Sequence, residues 1–97
     1  MAENSVLHLT LHRTFFDEIA TGRKTIEYRD QSVHWRTRLE NRHYDLILFR
    51  NGYGKSVPEM VVEFRGLRRY GRRRSAYYAI LLGKVLKIRR WRKPAIS

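Results

Sequence analysis

Gly22-Arg23-Lys24-Thr25-Ile26-Glu27-Tyr28-Arg29 is the stretch on which the fold of this chain turns. It opens with a glycine of the kind that closes a helix in the left-handed conformation, and it continues as a β-type alternation. Just upstream, Phe15, Phe16, Ile19 and Ala20 recur at helical spacing, which predicts a helix of about two turns that needs packing to persist. Thr14, with Asp17 three residues on, reads as its capping box. The period of two after Gly22 puts Ile26 and Tyr28 on the core side and Thr25, Glu27 and Arg29 on the other. A lysine, a glutamate and an arginine therefore crowd one helix-to-strand junction.

Working outward, Val6 to Leu11 alternates, with Leu7, Leu9 and Leu11 on one face, as a half-buried strand should. Asp30 to His43 is polar and has no clear period; it reads as a loop with a helical turn near Trp35 to Leu39. Tyr44 to Arg50 is β-rich and runs into Asn51-Gly52, a turn signal. Val57 to Leu67 resumes alternation through Met60, Val62 and Phe64, so these two runs are expected to pair as an antiparallel hairpin. Arg68 to Ser75 reads as a loop, nearly all arginine around Gly71. Ala76 to Ile88 suits a buried helix or two strands broken at Gly83, and its tyrosines and β-branched residues favour strands. Five or six short strands with one early helix predict a small, partly closed β-barrel.

Ninety-seven residues is the length of one small domain, taken here as residues 1–97 with a basic end at about 89–97. An apolar share of 42% is enough for a core. With no cysteine, disulfides, cysteine nucleophiles and thiolate metal sites are all excluded. Met1 to Ser5 lacks the basic-then-apolar layout of a signal peptide, and the longest apolar run, Ala76 to Leu82, is far short of a bilayer span. The expectation is a soluble cytoplasmic domain without a membrane partner. The formal charge of +12 is a large excess for this size, which points to an anionic partner. From Arg65 onward there is not one acidic residue. The basic residues do not lie opposite a long apolar helical face, so RNA or another single-stranded nucleic acid is the expected partner.

Lys24 and Glu27 are close enough in sequence to pair, and Arg29 shares a strand face with Glu27. An Arg–Glu pair can hold the carboxylate ionised and leave Lys24 to meet a phosphate or a developing oxyanion. The competing reading is a charge ladder that only ties the helix to the strand. Tyr53 and Lys55, in the Asn51-Gly52-Tyr53-Gly54-Lys55 turn, suit a stacked base and its phosphate. Arg72, Arg73 and Arg74 suit phosphate contacts that raise affinity without choosing sequence. Trp35 and Trp91 lie among arginines and suit base stacking or a core anchor. His8, His12, His34 and His43 have no metal-ligand spacing, Gly52 and Gly54 lack the rest of a Walker pattern, and no cofactor is evident.

Gly22, Lys24, Glu27 and Arg29 match the G-x-K-x-x-E-x-R motif of the ASCH domain, whose fold is related to the PUA RNA-binding domains. Leu9-Thr10-Leu11 with Phe16 and Ile19, the Arg50-Asn51-Gly52-Tyr53 turn and Leu82-Gly83-Lys84 also resemble small bacterial ASCH proteins, so the resemblance spans about residues 6 to 90. It implies a small PUA-like β-barrel, mixed α/β and mainly β, of five or six strands with one or two short helices. It also implies a cleft lined by the motif residues that accepts RNA or a modified nucleoside, with Lys24, Arg29, Arg50 and Asn51 among the residues expected to contact the nucleic acid. One branch of the family deacetylates N4-acetylcytidine with a lysine, a threonine and a glutamate. Lys24 falls on its lysine, Glu27 stands at its threonine position, and Glu63 is the candidate for its later glutamate. Other members are linked to ribonuclease activity. The two readings carried forward are an RNA-binding module and a small hydrolase with Lys24 and Glu27 as its catalytic pair.

Overall fold

The computed structural model describes residues 5–95 and turns the first alternating run into a strand, β1 (Val6–Thr10), with Leu7 and Leu9 buried. Residues 1–4, and the last two of the basic end at 89–97, lie outside the described residues. The chain continues through α1 (Arg13–Ala20), β2 (Ile26–Asp30), α2 (Val33–Leu39), β3 (Leu46–Arg50), β4 (Glu59–Tyr70), a 3₁₀ turn (Arg73–Ser75) and β5 (Tyr77–Arg89). The five strands form one sheet in the order β1-β3-β4-β5-β2; β1 and β3 are parallel and the other pairs antiparallel. The fold is thus mixed α/β and mainly β, a curled half-barrel with two short helices. That order leaves β1 and β2 as the two edges. The Arg29 guanidinium bridges them, with Nη2 donating to the Thr10 carbonyl at 3.1 Å.

The core gathers Phe16 and Ile19 of α1, Leu39 of α2, and Ile47, Phe49, Met60, Val62, Tyr78 and Ile80 from the strands. The hairpin between the 44–50 and 57–67 runs forms as expected, from Leu46 opposite Glu63 to Arg50 opposite Glu59. Its loop spans residues 51–58, longer than a tight turn, and Gly52 takes φ 104° within it. Gly22 has φ 81° and its amide reaches the Ile19 carbonyl at 3.1 Å, so the helix stop is as read from the sequence.

Five expectations are corrected. Thr14 is not the cap: His12 precedes the first turn of α1, without a side-chain cap, and Asp17 Oδ1 instead accepts from Trp91 Nε1 at 2.9 Å. A tryptophan was available to fasten the helix, and Trp91 packs against the core as an anchor rather than standing out for a base. Within 30–43 the helix begins at Val33, earlier than the expected turn, because Ser32 Oγ accepts from the Trp35 amide at 3.3 Å. Arg68 to Tyr70 belong to β4, which pairs with β5 up to Tyr70–Tyr77 and shortens the arginine loop. Gly83 breaks nothing, since β5 runs through it as a single strand. A Cβ there would collide with the Arg65 and Glu63 side chains, so the glycine makes room for that ion pair folded across the strand. Register shifts around Val62, Phe64 and Gly66 fall in the same stretch, where bulges increase twist and help the sheet curl.

The fifth correction is the parity of β2. Glu27 is 5% exposed and Tyr28 is 53% exposed, the reverse of the face expected from polarity. Glu27 pairs with Ile80 and Arg29 with Tyr78, two core positions of β5, so the charged row is the inner one. Burying a carboxylate is tolerable only with its charge compensated and its oxygens bonded. Two cations supply that here.

Candidate functional site

A cleft of about 540 Å³ opens where the two sheet edges meet. β1 contributes Thr10, and its continuation into α1 contributes Leu11, His12, Arg13 and Phe15. β2 contributes Glu27, Tyr28, Arg29 and Asp30; α2 contributes Trp35, and the 51–58 loop contributes Asn51, Gly52 and Tyr53. The loop is held against the β1 end by the Leu11 amide, which donates to the Arg50 carbonyl at 2.8 Å. A volume of this size is typical of a small-molecule or nucleotide site.

Glu27 sits at the base of the cleft between two cations. Lys24 Nζ lies 3.2 Å from Oε1, while Arg29 Nη2 and Nε donate to Oε2 at 2.8 and 3.1 Å. Both carboxylate oxygens are engaged, and the triad carries one net positive charge. Lys24 also stands over the Phe15 ring, 4.5 Å from its centroid, with the Tyr28 ring at 5.8 Å. The Arg29 guanidinium lies 4.8 Å from the Trp35 centroid. Arg29 Nη1 has no hydrogen-bond acceptor among the described residues, so the guanidinium keeps donors for a guest. Phe15 is 43% exposed and Tyr53 is 88% exposed, so aromatic surface is open in the cleft beside the charged base. Such a site combines donors for an anion with flat apolar walls, the chemistry that a nucleotide presents.

Of the residues singled out in the sequence, Glu27, Arg29, Asn51 and Tyr53 line the cleft, and Lys24, not itself a lining residue, joins them through its pair with Glu27. Arg50 is committed to the loop: Nε pairs with Glu59 Oε2 at 3.1 Å and Nη2 bonds the Gly54 carbonyl at 2.5 Å. Lys55 is exposed further along the same loop, outside the cleft. Glu63 also lies outside it. Its Oε1 accepts from the Lys84 amide at 2.8 Å and from Arg65 Nη2 at 2.9 Å, bonds that hold its carboxyl below the ordinary value, the Lys84 contact foremost. Arg72, Arg73 and Arg74 are exposed on the turn between β4 and β5, away from the cleft lining. Phe15, Trp35 and Tyr28 are cleft walls that sequence patterning assigned to the core or left open. Only the parity of β2 and the convergence of Phe15 and Trp35 on one cleft reveal them.

At the C-terminal end of α2, Glu40 Oε2 accepts from the Tyr78 hydroxyl at 2.5 Å. That bond is the main cause of a lowered Glu40 carboxyl, with Arg69 adding to it. Burial, and then Glu40 itself, pushes the Tyr78 hydroxyl up, so it stays a donor. Among the described residues no three His, Asp or Glu side chains converge as a metal ion would require, and no helix is long and apolar enough to cross a membrane. Neither the family models nor the curated proteins compared with this chain give a match.

Proposed function

We propose that this protein is a single-stranded nucleic-acid-binding module, with RNA the preferred ligand, whose seam cleft holds one base and its phosphate. The observation that carries this reading is the Lys24–Glu27–Arg29 triad, built on a buried carboxylate and positive overall, beside a cleft lined by Phe15, Tyr28, Trp35 and Tyr53. Glu27 orients the two cations, Arg29 meets the phosphate while Lys24 adds positive charge from beside Glu27, and a base slots against the aromatic faces. The triad is the G-x-K-x-x-E-x-R motif on which the resemblance to ASCH domains rests, and the curled half-barrel suits that assignment. The +12 charge supplies the sequence-independent part of the affinity.

Acid–base chemistry is less well served by this geometry. Both Glu27 oxygens already face cations, and Glu63 lies outside the cleft. A hydrolase acting on RNA or on N4-acetylcytidine would have to work through Lys24, so Lys24→Ala would abolish turnover.

Titrating labelled single-stranded RNA across a range of salt tests the binding reading. About five phosphate contacts give a log–log slope near −3.5 for single strands. Binding that barely responds to salt would sink the proposal. Turnover of RNA or N4-acetylcytidine by the wild type, lost in Lys24→Ala, would move the function to the hydrolase reading.

A further inference from the structure

The face of β2, β5 and β4 turned away from the core carries three exposed tyrosines in contact with one another. Tyr28, Tyr77 and Tyr70 are 53%, 38% and 44% exposed. Tyr28 meets Tyr77 edge-on with ring centroids 5.7 Å apart, and Tyr77 stacks on Tyr70 at 5.4 Å and 26°. The rings stand on a fixed backbone. Gln31 Nε2 donates to the Tyr77 carbonyl at 2.9 Å and reaches the Tyr70 carbonyl at 3.5 Å, and the Gln31 amide donates to the Ala76 carbonyl. Tyr70 and Tyr77 are also direct cross-strand partners. An exposed aromatic row on a braced sheet is a candidate interaction surface, because nothing in packing requires three rings outside the core.

The surrounding charge says what such a surface would accept. Arg68 lies in the cross-strand row of Ala79 and Tyr28, and the turn beyond Tyr70 carries Arg72, Arg73 and Arg74. No acidic group among the described residues lies within ion-pair distance of these four arginines. Their turn is itself ordered: Ser75 Oγ and the Ser75 amide both donate to the Arg72 carbonyl, at 2.9 and 3.1 Å. Asp30, beside Tyr77 in the register, is the one acid of this sector and belongs to the cleft. The rings are bordered by unpaired arginines, which suits a polyanion with flat faces better than an apolar protein segment or a bilayer. Tyr28 belongs both to the row and to the cleft wall, so the two surfaces are continuous.

We infer that the Tyr28–Tyr77–Tyr70 row is a second stacking platform, over which a single strand leaving the cleft lays successive bases while the arginines hold its phosphates. The inference rests on the cleft being a nucleotide site, because the strand passes from one to the other at Tyr28. It adds an extended footprint, so affinity should grow with strand length beyond what the cleft can hold.

Anisotropy titrations with a labelled RNA trinucleotide and a labelled RNA dodecamer test it. The Tyr70→Leu/Tyr77→Leu double variant should bind the dodecamer at least about tenfold more weakly, with the trinucleotide unchanged. Tyr70→Phe/Tyr77→Phe keeps the ring faces and should stay within about twofold of wild type on both probes. The platform is overturned if the leucine variant holds the dodecamer as wild type does, or if the phenylalanine variant falls as far as the leucine one. Tyr53→Ala separates the two claims, since it should weaken the trinucleotide while retaining length-dependent binding. If wild type ignores the trinucleotide yet its dodecamer binding depends on Tyr70 and Tyr77, the platform stands and the cleft reading fails.

Discussion

The seam between β1 and β2 and the turn between β4 and β5 are both rich in cations, yet they hold them in opposite ways. At the seam, Lys24 and Arg29 converge on one buried carboxylate, and both are mostly shielded from water. At the turn, Arg72, Arg73 and Arg74 stand exposed with no acid in reach among the described residues. Net charge therefore hides two populations. The paired one shapes a cleft and supports the fold; the unpaired one is free to attract a polyanion and costs little structure when lost.

The largest expected effect breaks this contrast on the seam side. Glu27→Ala leaves two cations without their shared partner in a mostly buried site and should cost about 3 kcal/mol or more in urea unfolding. Arg73→Ala should stay within about 0.5 kcal/mol of wild type. Equal losses from both changes would mean that the seam pairing is ordinary surface electrostatics. Next comes the turn side. Replacing Arg72, Arg73 and Arg74 together by alanine should make the salt slope of RNA binding shallower by about 2 and leave the unfolding midpoint in place.

A smaller effect belongs to the 51–58 loop that lines the cleft. Tyr53→Ala removes an exposed ring from the cleft mouth and should weaken RNA binding by about fivefold or more, with stability untouched. If affinity is unchanged, the ring is only part of the turn.

The smallest effect is on the acid side. Glu63 is held below its ordinary 4.5 by the Lys84 amide and Arg65, so near and below that pH the unfolded chain binds the proton more readily than the native one. Its contribution is fully present above 4.5 and is lost as pH falls through the lower native value. Glu40 and Asp45 act in the same direction, through Tyr78 and through the Ser5 amide respectively. Glu63→Gln should therefore lose less stability than wild type between neutral pH and pH below about 4.5. A parallel decline in the two proteins would remove Glu63 from that account.

Much of the fold could be read from local pattern. β1, the β3–β4 hairpin and the Gly22 helix stop each follow from a few adjacent residues. Ser32 as the cap of α2 was also readable, though its stretch lacks the periodicity that would have drawn notice. The parity of β2 was not, because alternation gives two faces without saying which is inward. Polarity points Glu27 outward, and only its two cation partners, together with the register against Ile80, reverse that. The motif residues were visible as a charged cluster, but the cleft was not. Its walls come from α1, α2 and the 51–58 loop, and they meet only because the sheet order puts β1 and β2 at opposite edges of a curl. The tyrosine row depends on the same register and was equally hidden.

Trp35 provides the most direct test of the cleft as a nucleotide site, because its ring lies against Arg29 inside it. In Trp91→Phe protein, which leaves Trp35 as the one tryptophan, fluorescence can be followed while an RNA trinucleotide is titrated in. A base entering between the aromatic walls should quench Trp35 saturably, and Tyr53→Ala should shift the quenching to higher trinucleotide concentration. Trp35 emission that stays unchanged while the trinucleotide binds would place the ligand elsewhere and contradict the assignment of the cleft.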